Sequence, residues 1–214
     1  MKLLYITANP KEEHQSSSKT VGRRVVNAIK AKIPDIQVEE LDLYKDHIPH
    51  LKGCYFQGRS AVVNEQAKSQ LTPEEQKEID TINKLCDQFR DADVYVLAAP
   101  MWNMSFPPVV KEYIDCIVQS GKTVEFKDNK PHVMLGNKRR VFIYVQSSGG
   151  SLPWIVKPVL NKGMKYVEDI MKFLGIDIFE EILVDGTGTT EEERQSAILK
   201  ATKKIDSFVD KLFD

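Results

Sequence analysis

Val94-Tyr95-Val96-Leu97-Ala98-Ala99 is apolar at every position, and so is Val141-Phe142-Ile143-Tyr144-Val145. A strand with one wet face alternates apolar and polar residues; a strand covered on both faces does not. These two stretches therefore predict central strands of a parallel sheet with helices on both sides. Outward from them, Lys2-Leu3-Leu4-Tyr5-Ile6-Thr7-Ala8 is a third short strand, ended by the turn pair Asn9-Pro10. Ile36, Val38 and Leu41 mark another strand running to Leu43, and a last one covers Ile178 to Val184.

The segments between the strands change period. From Ser18 to Ile33 the residues Val21, Val25, Val26, Ile29 and Ile33 recur at helical spacing before Pro34-Asp35 breaks the pattern. Thr72-Pro73-Glu74-Glu75 opens a second helix, with Thr72 as cap, Pro73 at the first helical position and Glu75 closing a capping box. Pro107-Pro108 starts a third, Pro158 to Leu174 forms a fourth, and a final helix runs from about Glu191, where Thr190 and Glu193 offer another capping box. The excursions Tyr44–Leu71 and Gly121–Arg140 carry no sustained period. This β-α alternation predicts one doubly wound domain over residues 1–214.

Composition narrows the function. Thirty Lys and Arg against 31 Asp and Glu leave a net charge of -1. That is too little basic excess for a nucleic-acid groove or an anionic-membrane surface. The longest uncharged stretch, Val94 to Val110, contains Asn103, Ser105 and three prolines, so it is no spanning helix. The N-terminus runs into a strand without signal-peptide features, and Cys54, Cys86 and Cys116 are scattered, which together predict a cytoplasmic protein without disulfides.

In a doubly wound sheet, ligands bind beyond the carboxyl ends of the strands. The candidate loops are Asn9–Ser18, Pro100–Phe106, Gln146–Pro153 and Asp185–Thr190. No G-x-G-x-x-G follows the first strand, and Gly121-Lys122-Thr123 follows a helix with Cys116 where a Walker loop needs glycine. Dinucleotide and triphosphate sites of those kinds are excluded. Ser16-Ser17-Ser18 opens the first helix, where backbone N–H groups and the dipole attract an anion, or where one serine serves only as cap. Pro100-Met101-Trp102-Asn103-Met104 suits a flat aromatic ring, or buries a core Trp beside a proline turn. Gln146-Ser147-Ser148-Gly149-Gly150 lets backbone approach a ligand, or makes a turn. Converging at one sheet end, the three loops describe a mononucleotide site with a large ring system. His47-Ile48-Pro49-His50 has Pro49 where a helix would have to align the imidazoles, and no metal site is expected.

These motifs resemble the FMN-dependent NAD(P)H azoreductase and quinone reductase family, over essentially the whole chain. The resemblance rests on the first strand and serine loop, Pro-Met-Trp-Asn at 100–103, Tyr113-Ile114-Asp115, Gly121-Lys122-Thr123, the Ser-x-Gly-Gly loop at 147–150, and Phe173-Leu174-Gly175. It implies a flavodoxin-like five-stranded sheet of order 2-1-3-4-5. It implies that Ser16, Ser17 and Ser18 hold the FMN phosphate, that Met101, Trp102, Asn103 and Met104 run along the isoalloxazine, and that Ser147, Ser148, Gly149 and Gly150 face its pyrimidine end; Pro100 and Asn9, the latter standing where some relatives place a phosphate-contacting Ser, are further expected cofactor contacts. It further implies NADH or NADPH as donor, quinones and azo compounds as acceptors, and a homodimer with shared active sites. Trp102, Phe126 and Phe173 would line the substrate pocket, Phe173 reaching the partner's flavin. Ser148 stands where the family often has Arg, and Val124 where some members are aromatic. The alternative is a flavodoxin-like electron carrier or redox-sensing module, or an FMN reductase-like enzyme with another acceptor.

Overall fold

A computed structural model describes residues 1–128, 130–150 and 161–214. In chain order the elements are β1 (Lys2–Thr7), α1 (Ser17–Lys32), β2 (Gln37–Asp42), β3 (Phe56–Gly58), β4 (Ala61–Val62), α2 (Glu65–Lys68), α3 (Pro73–Asp91), β5 (Val94–Pro100) and α4 (Pro108–Ile117). There follow β6 (Val124–Lys127), β7 (Lys130–Val133), β8 (Val141–Ser148), α5 (Lys162–Leu174), β9 (Ile178–Asp185), α6 (Glu191–Thr202) and α7 (Ile205–Phe213). The main sheet has five parallel strands in the order β2-β1-β5-β8-β9. With the two small hairpins β3–β4 and β6–β7 set aside, that is the expected order 2-1-3-4-5.

The alternation of each central strand divides the core in two. Tyr95, Leu97 and Ala99 of β5, with Phe142 and Tyr144 of β8, face Ile79, Ile82 and Phe89 of α3, Val110, Tyr113 and Ile117 of α4, and Val167 and Met171 of α5. Val94, Val96 and Ala98, with Ile143 and Val145, face Val21, Val25 and Ile29 of α1 and the buried residues of α6 and α7. Every side chain of β5 and β8 is buried, as their unbroken apolar runs require. Gly22 lets α1 lie close on the sheet: a Cβ there would come within 2.9 Å of Ala98 Cβ and of the Tyr5 hydroxyl.

Both expected capping boxes form, Thr72–Glu75 on α3 and Thr190–Glu193 on α6. The helix expected from Glu191 to the end is two helices, because the chain turns at Lys203-Lys204 and lays Ile205 and Val209 of α7 into the core beside α1. The helix expected from Pro158 is described from Lys162; residues 158–160 lie outside the described residues. The excursion 44–71 holds the β3–β4 hairpin and the short α2, and the excursion 121–140 holds the β6–β7 hairpin. Gly121-Lys122-Thr123 is a structural turn: Thr123 Oγ1 donates to Ile117 O at 2.7 Å, and Lys122 Nζ donates to Asn83 Oδ1 and Asp87 Oδ2 at 3.1 Å each. No helix among the described residues is long and apolar enough to cross a membrane.

Candidate functional site

The carboxyl ends of β1, β5, β8 and β9 surround a cleft of about 660 Å³. Its first wall is the loop after β1. Asn9 is buried there, with Oδ1 accepting from Lys11 N at 3.0 Å and Nδ2 donating to Ser16 Oγ at 3.0 Å. Ser16 is the cap of α1, its Oγ accepting from Lys19 N at 3.3 Å. Ser16 and Ser17 line the cleft; Ser18 is fully buried behind them, its Oγ 3.2 Å from that of Ser16. The cap reading of the serines thus holds at Ser16. It does not exhaust that hydroxyl, because accepting leaves the proton free to donate.

The second wall is the loop after β5, lined by Pro100, Met101 and Trp102. Trp102 N donates to Ser105 O and Ser105 N to Trp102 O, both at 2.9 Å, closing a tight turn with Asn103 and Met104 at its apex. Both apex residues have positive φ, 50° and 63°. A methionine in that region is costly, and such outliers collect at functional sites. Asn103 and Met104 are exposed at the turn tip and do not line the cleft, whereas Trp102, 40 % exposed, does. Tyr44 meets the Trp102 ring edge-on with centroids 6.4 Å apart. The turn is seated from below on α5, where a Cβ on Gly163 would lie 2.7 Å from Ser105 Cα.

The third wall is the loop after β8. Ser147, Ser148 and Gly149 line the cleft, Met101 N donates to Ser147 O at 2.7 Å, and Gly150 sits just outside. The loop after β9 supports it: Thr187 N donates to Ser148 O, Gly188 N to Gly149 O at 3.0 Å each, and Gly186 N to Gly150 O at 3.4 Å. Among the described residues nothing accepts from the N–H of Gly149 or Gly150, and a Cβ at either glycine would meet open space. Gln146, one residue earlier, is buried with neither amide atom partnered among the described residues.

Thr187, Gly188, Thr189 and Thr190 form a fourth wall with Arg194, whose guanidinium is paired to Glu191 at 2.6 Å. That side-chain pair holds the Glu191 carboxyl down to about 2. The loop Asp185–Thr190 was a candidate from its place after a strand, but Lys11 and Arg194 carried no signal, since isolated cations read as solvated surface. His14 also lines the cleft. Phe126 and Phe173 do not. Phe126 is half-buried under the Arg59 guanidinium, 4.5 Å from its ring centroid, and Phe173 packs half-buried against the core from α5. His47 Nε2 lies 2.8 Å from Glu78 and His50 Nδ1 3.0 Å from Glu112, both on the surface away from the cleft.

The donor set fits a flavin mononucleotide. One end has a serine-lined helix start for a phosphate, the middle a tryptophan wall for a ring, and the far side the Gly149 N–H, which has no acceptor among the described residues.

A family model described as having a flavodoxin-like fold matches residues 1–209. An FMN-dependent NADH:quinone oxidoreductase of Ruminiclostridium cellulolyticum is 59% identical over 211 residues, covering 99% of each chain. A protein of the same name from Clostridium botulinum is 58% identical over 210 residues, covering 98% of each chain. Among solved structures, an azoreductase from Bacillus anthracis superposes with a TM-score of 0.81 at 25% identity, over 98% of this chain and 99% of that one.

Proposed function

We propose a function from one premise: the chain belongs to the flavodoxin-like family that includes the FMN-dependent NADH:quinone oxidoreductases. It is an FMN-dependent NAD(P)H oxidoreductase that reduces quinones and azo compounds. The observation that carries this reading is the meeting, in one cleft, of the Ser16–Ser17 helix start, the Trp102 turn and the Gly149 N–H, which has no acceptor among the described residues. When bound, FMN supplies a centre that takes a hydride from a reduced nicotinamide and passes two electrons to an acceptor.

The chain's residues do the rest. Ser16 and Ser17, with the first backbone N–H groups of α1, hold the phosphate. Pro100, Met101 and Trp102 form the wall along the ring, with Asn103 and Met104 fixing the turn. Ser147, Ser148, Gly149 and Gly150 would face the pyrimidine end, where backbone N–H groups of this loop would stabilise negative charge. Donor and acceptor use the same face of the cleft in turn, giving ping-pong kinetics.

The working unit in this reading is a cytoplasmic homodimer with two shared sites. Phe173, which lies outside the cleft of its own chain, would approach the flavin of the partner. Full activity per chain from a demonstrated monomer would rule out the shared site. The central test is direct: the purified protein is expected to be yellow, with about one FMN per chain, and bleached by NADH under anaerobic conditions. A colourless protein that takes up no added FMN ends the proposal.

A further inference from the structure

Lys19 is a lysine in the first turn of α1, yet its side chain is only 4% exposed. A cation there opposes the helix dipole and loses its hydration, so its burial needs compensation. Compensation is present: Nζ donates to Asp42 Oδ2 at 2.9 Å, at the end of the edge strand β2, and to Lys11 O at 3.0 Å, in the loop after β1.

From that point an unbroken chain of hydrogen bonds runs to the serines, and its polarity is fixed at every link. The backbone N–H of Lys11 can only donate, so the Asn9 amide atom 3.0 Å away is the oxygen. The other amide atom is then the NH₂, and it donates to Ser16 Oγ at 3.0 Å. Lys19 N donates to the same oxygen at 3.3 Å. A hydroxyl has two lone pairs and one proton. With both lone pairs taken, Ser16 can only donate, either to Ser18 Oγ at 3.2 Å or into the cleft.

We infer that Lys19, which does not line the cleft, is a specificity-determining positioning residue: it holds Lys11 and Asn9 so that Ser16 is an obligate donor. An obligate donor suits a phosphate dianion, which only accepts. It suits less well a primary alcohol, which must also place its own proton. Lys19 therefore sets the preference for FMN over riboflavin. Asp42 neutralises the Lys19 charge, so what reaches the site is orientation. The inference rests on the FMN reading above.

The test is to titrate the protein freed of flavin with FMN and with riboflavin, following flavin fluorescence, in the parent, Lys19→Met and Lys19→Arg. The parent is expected to prefer FMN. In Lys19→Met the FMN dissociation constant should rise about tenfold or more while that for riboflavin moves less than about threefold, and Lys19→Arg should restore part of the difference. A merely structural lysine would weaken both flavins alike, and that result overturns the inference, as does an unchanged FMN preference in Lys19→Met. A parent that binds neither flavin sinks the function itself, a separate outcome. If Lys19→Met does not fold, the double variant Lys19→Met/Asp42→Asn, which removes the lysine without leaving a carboxylate unpaired, decides the matter by the same ratio.

Discussion

Ser148 Oγ lies 2.9 Å from Asp185 Oδ1 and 2.7 Å from Gly150 O, so its single proton is shared between a tie within the loop after β8 and a tie to the end of β9. Thr187 Oγ1 adds a donation to Ser148 O at 3.1 Å. The glycine pair is thus braced by Thr187 and, through Ser148, by Asp185, which itself does not line the cleft.

Asp185→Ala should therefore lower turnover without emptying the site. A hydrogen bond to a charged group is worth about 1.5–3 kcal/mol, so the loss of loop positioning is expected to cost about tenfold in kcat/KM for NADH. FMN affinity should fall much less, because the serine end is untouched. Steady-state rates at saturating FMN, beside an FMN titration, check this; an equal loss in both would mean that Asp185 stabilises the whole cleft.

Arg140 makes the second case. It is 4% exposed and pairs with no carboxylate among the described residues; instead it donates to Arg90 O at 3.0 Å, Ala92 O at 3.3 Å and Asn137 Oδ1 at 2.8 Å, and to Leu135 O. It satisfies the carbonyls left at the C-terminal end of α3 and closes the turn before β8. Arg140→Met keeps the volume but strands those acceptors. The expected loss is on the order of 3 kcal/mol of unfolding free energy, read by urea denaturation, with the m-value unchanged.

The contrast between β5 and Arg140 marks what the sequence could say. β5 and β8 were legible because burial on both faces writes itself as an unbroken apolar run. The strand order followed from the family resemblance, and Ser16, Trp102 and Ser147 were legible because loops after parallel strands converge. Arg140 was not, since in Lys138-Arg139-Arg140 it has the composition of a solvated turn, and only the tertiary approach of α3 buries it. Lys19 was hidden for the same reason: its partners Asp42 and Lys11 are brought to it by the sheet. The hairpins β3–β4 and β6–β7 were hidden because strands of two to four residues show no period.

The cysteines give a chemical test of the core. Burial pushes the Cys86 and Cys116 thiols each up to about 12, so neither forms thiolate near pH 8. Cys54 is exposed. A disulfide reagent should modify one thiol in the native protein and all three after unfolding. Rapid reaction of a second thiol in the native state would mean that the face formed by α3 and α4 opens.

Phosphate anchoring and ring positioning can be separated by two variants. Replacing Ser16, Ser17 and Ser18 with alanine removes the hydroxyl donors but keeps the backbone N–H groups and the dipole of α1. Stability should fall by about 1 kcal/mol from the lost cap. FMN affinity should fall at least about tenfold, at 1.5–3 kcal/mol for each charge-assisted bond. Flavin that does bind should turn over almost normally, because the loops after β5 and β8 are unchanged. Trp102→Ala reverses the emphasis. FMN stays held at its phosphate, while removal of a cleft-lining wall disturbs where nicotinamide or quinone stacks and lowers turnover. Dissociation constants and rates at saturating FMN are both needed, since either alone would confuse weak loading with slow chemistry. A triple-serine variant that binds FMN like the parent would leave Ser16 as a helix cap and nothing more.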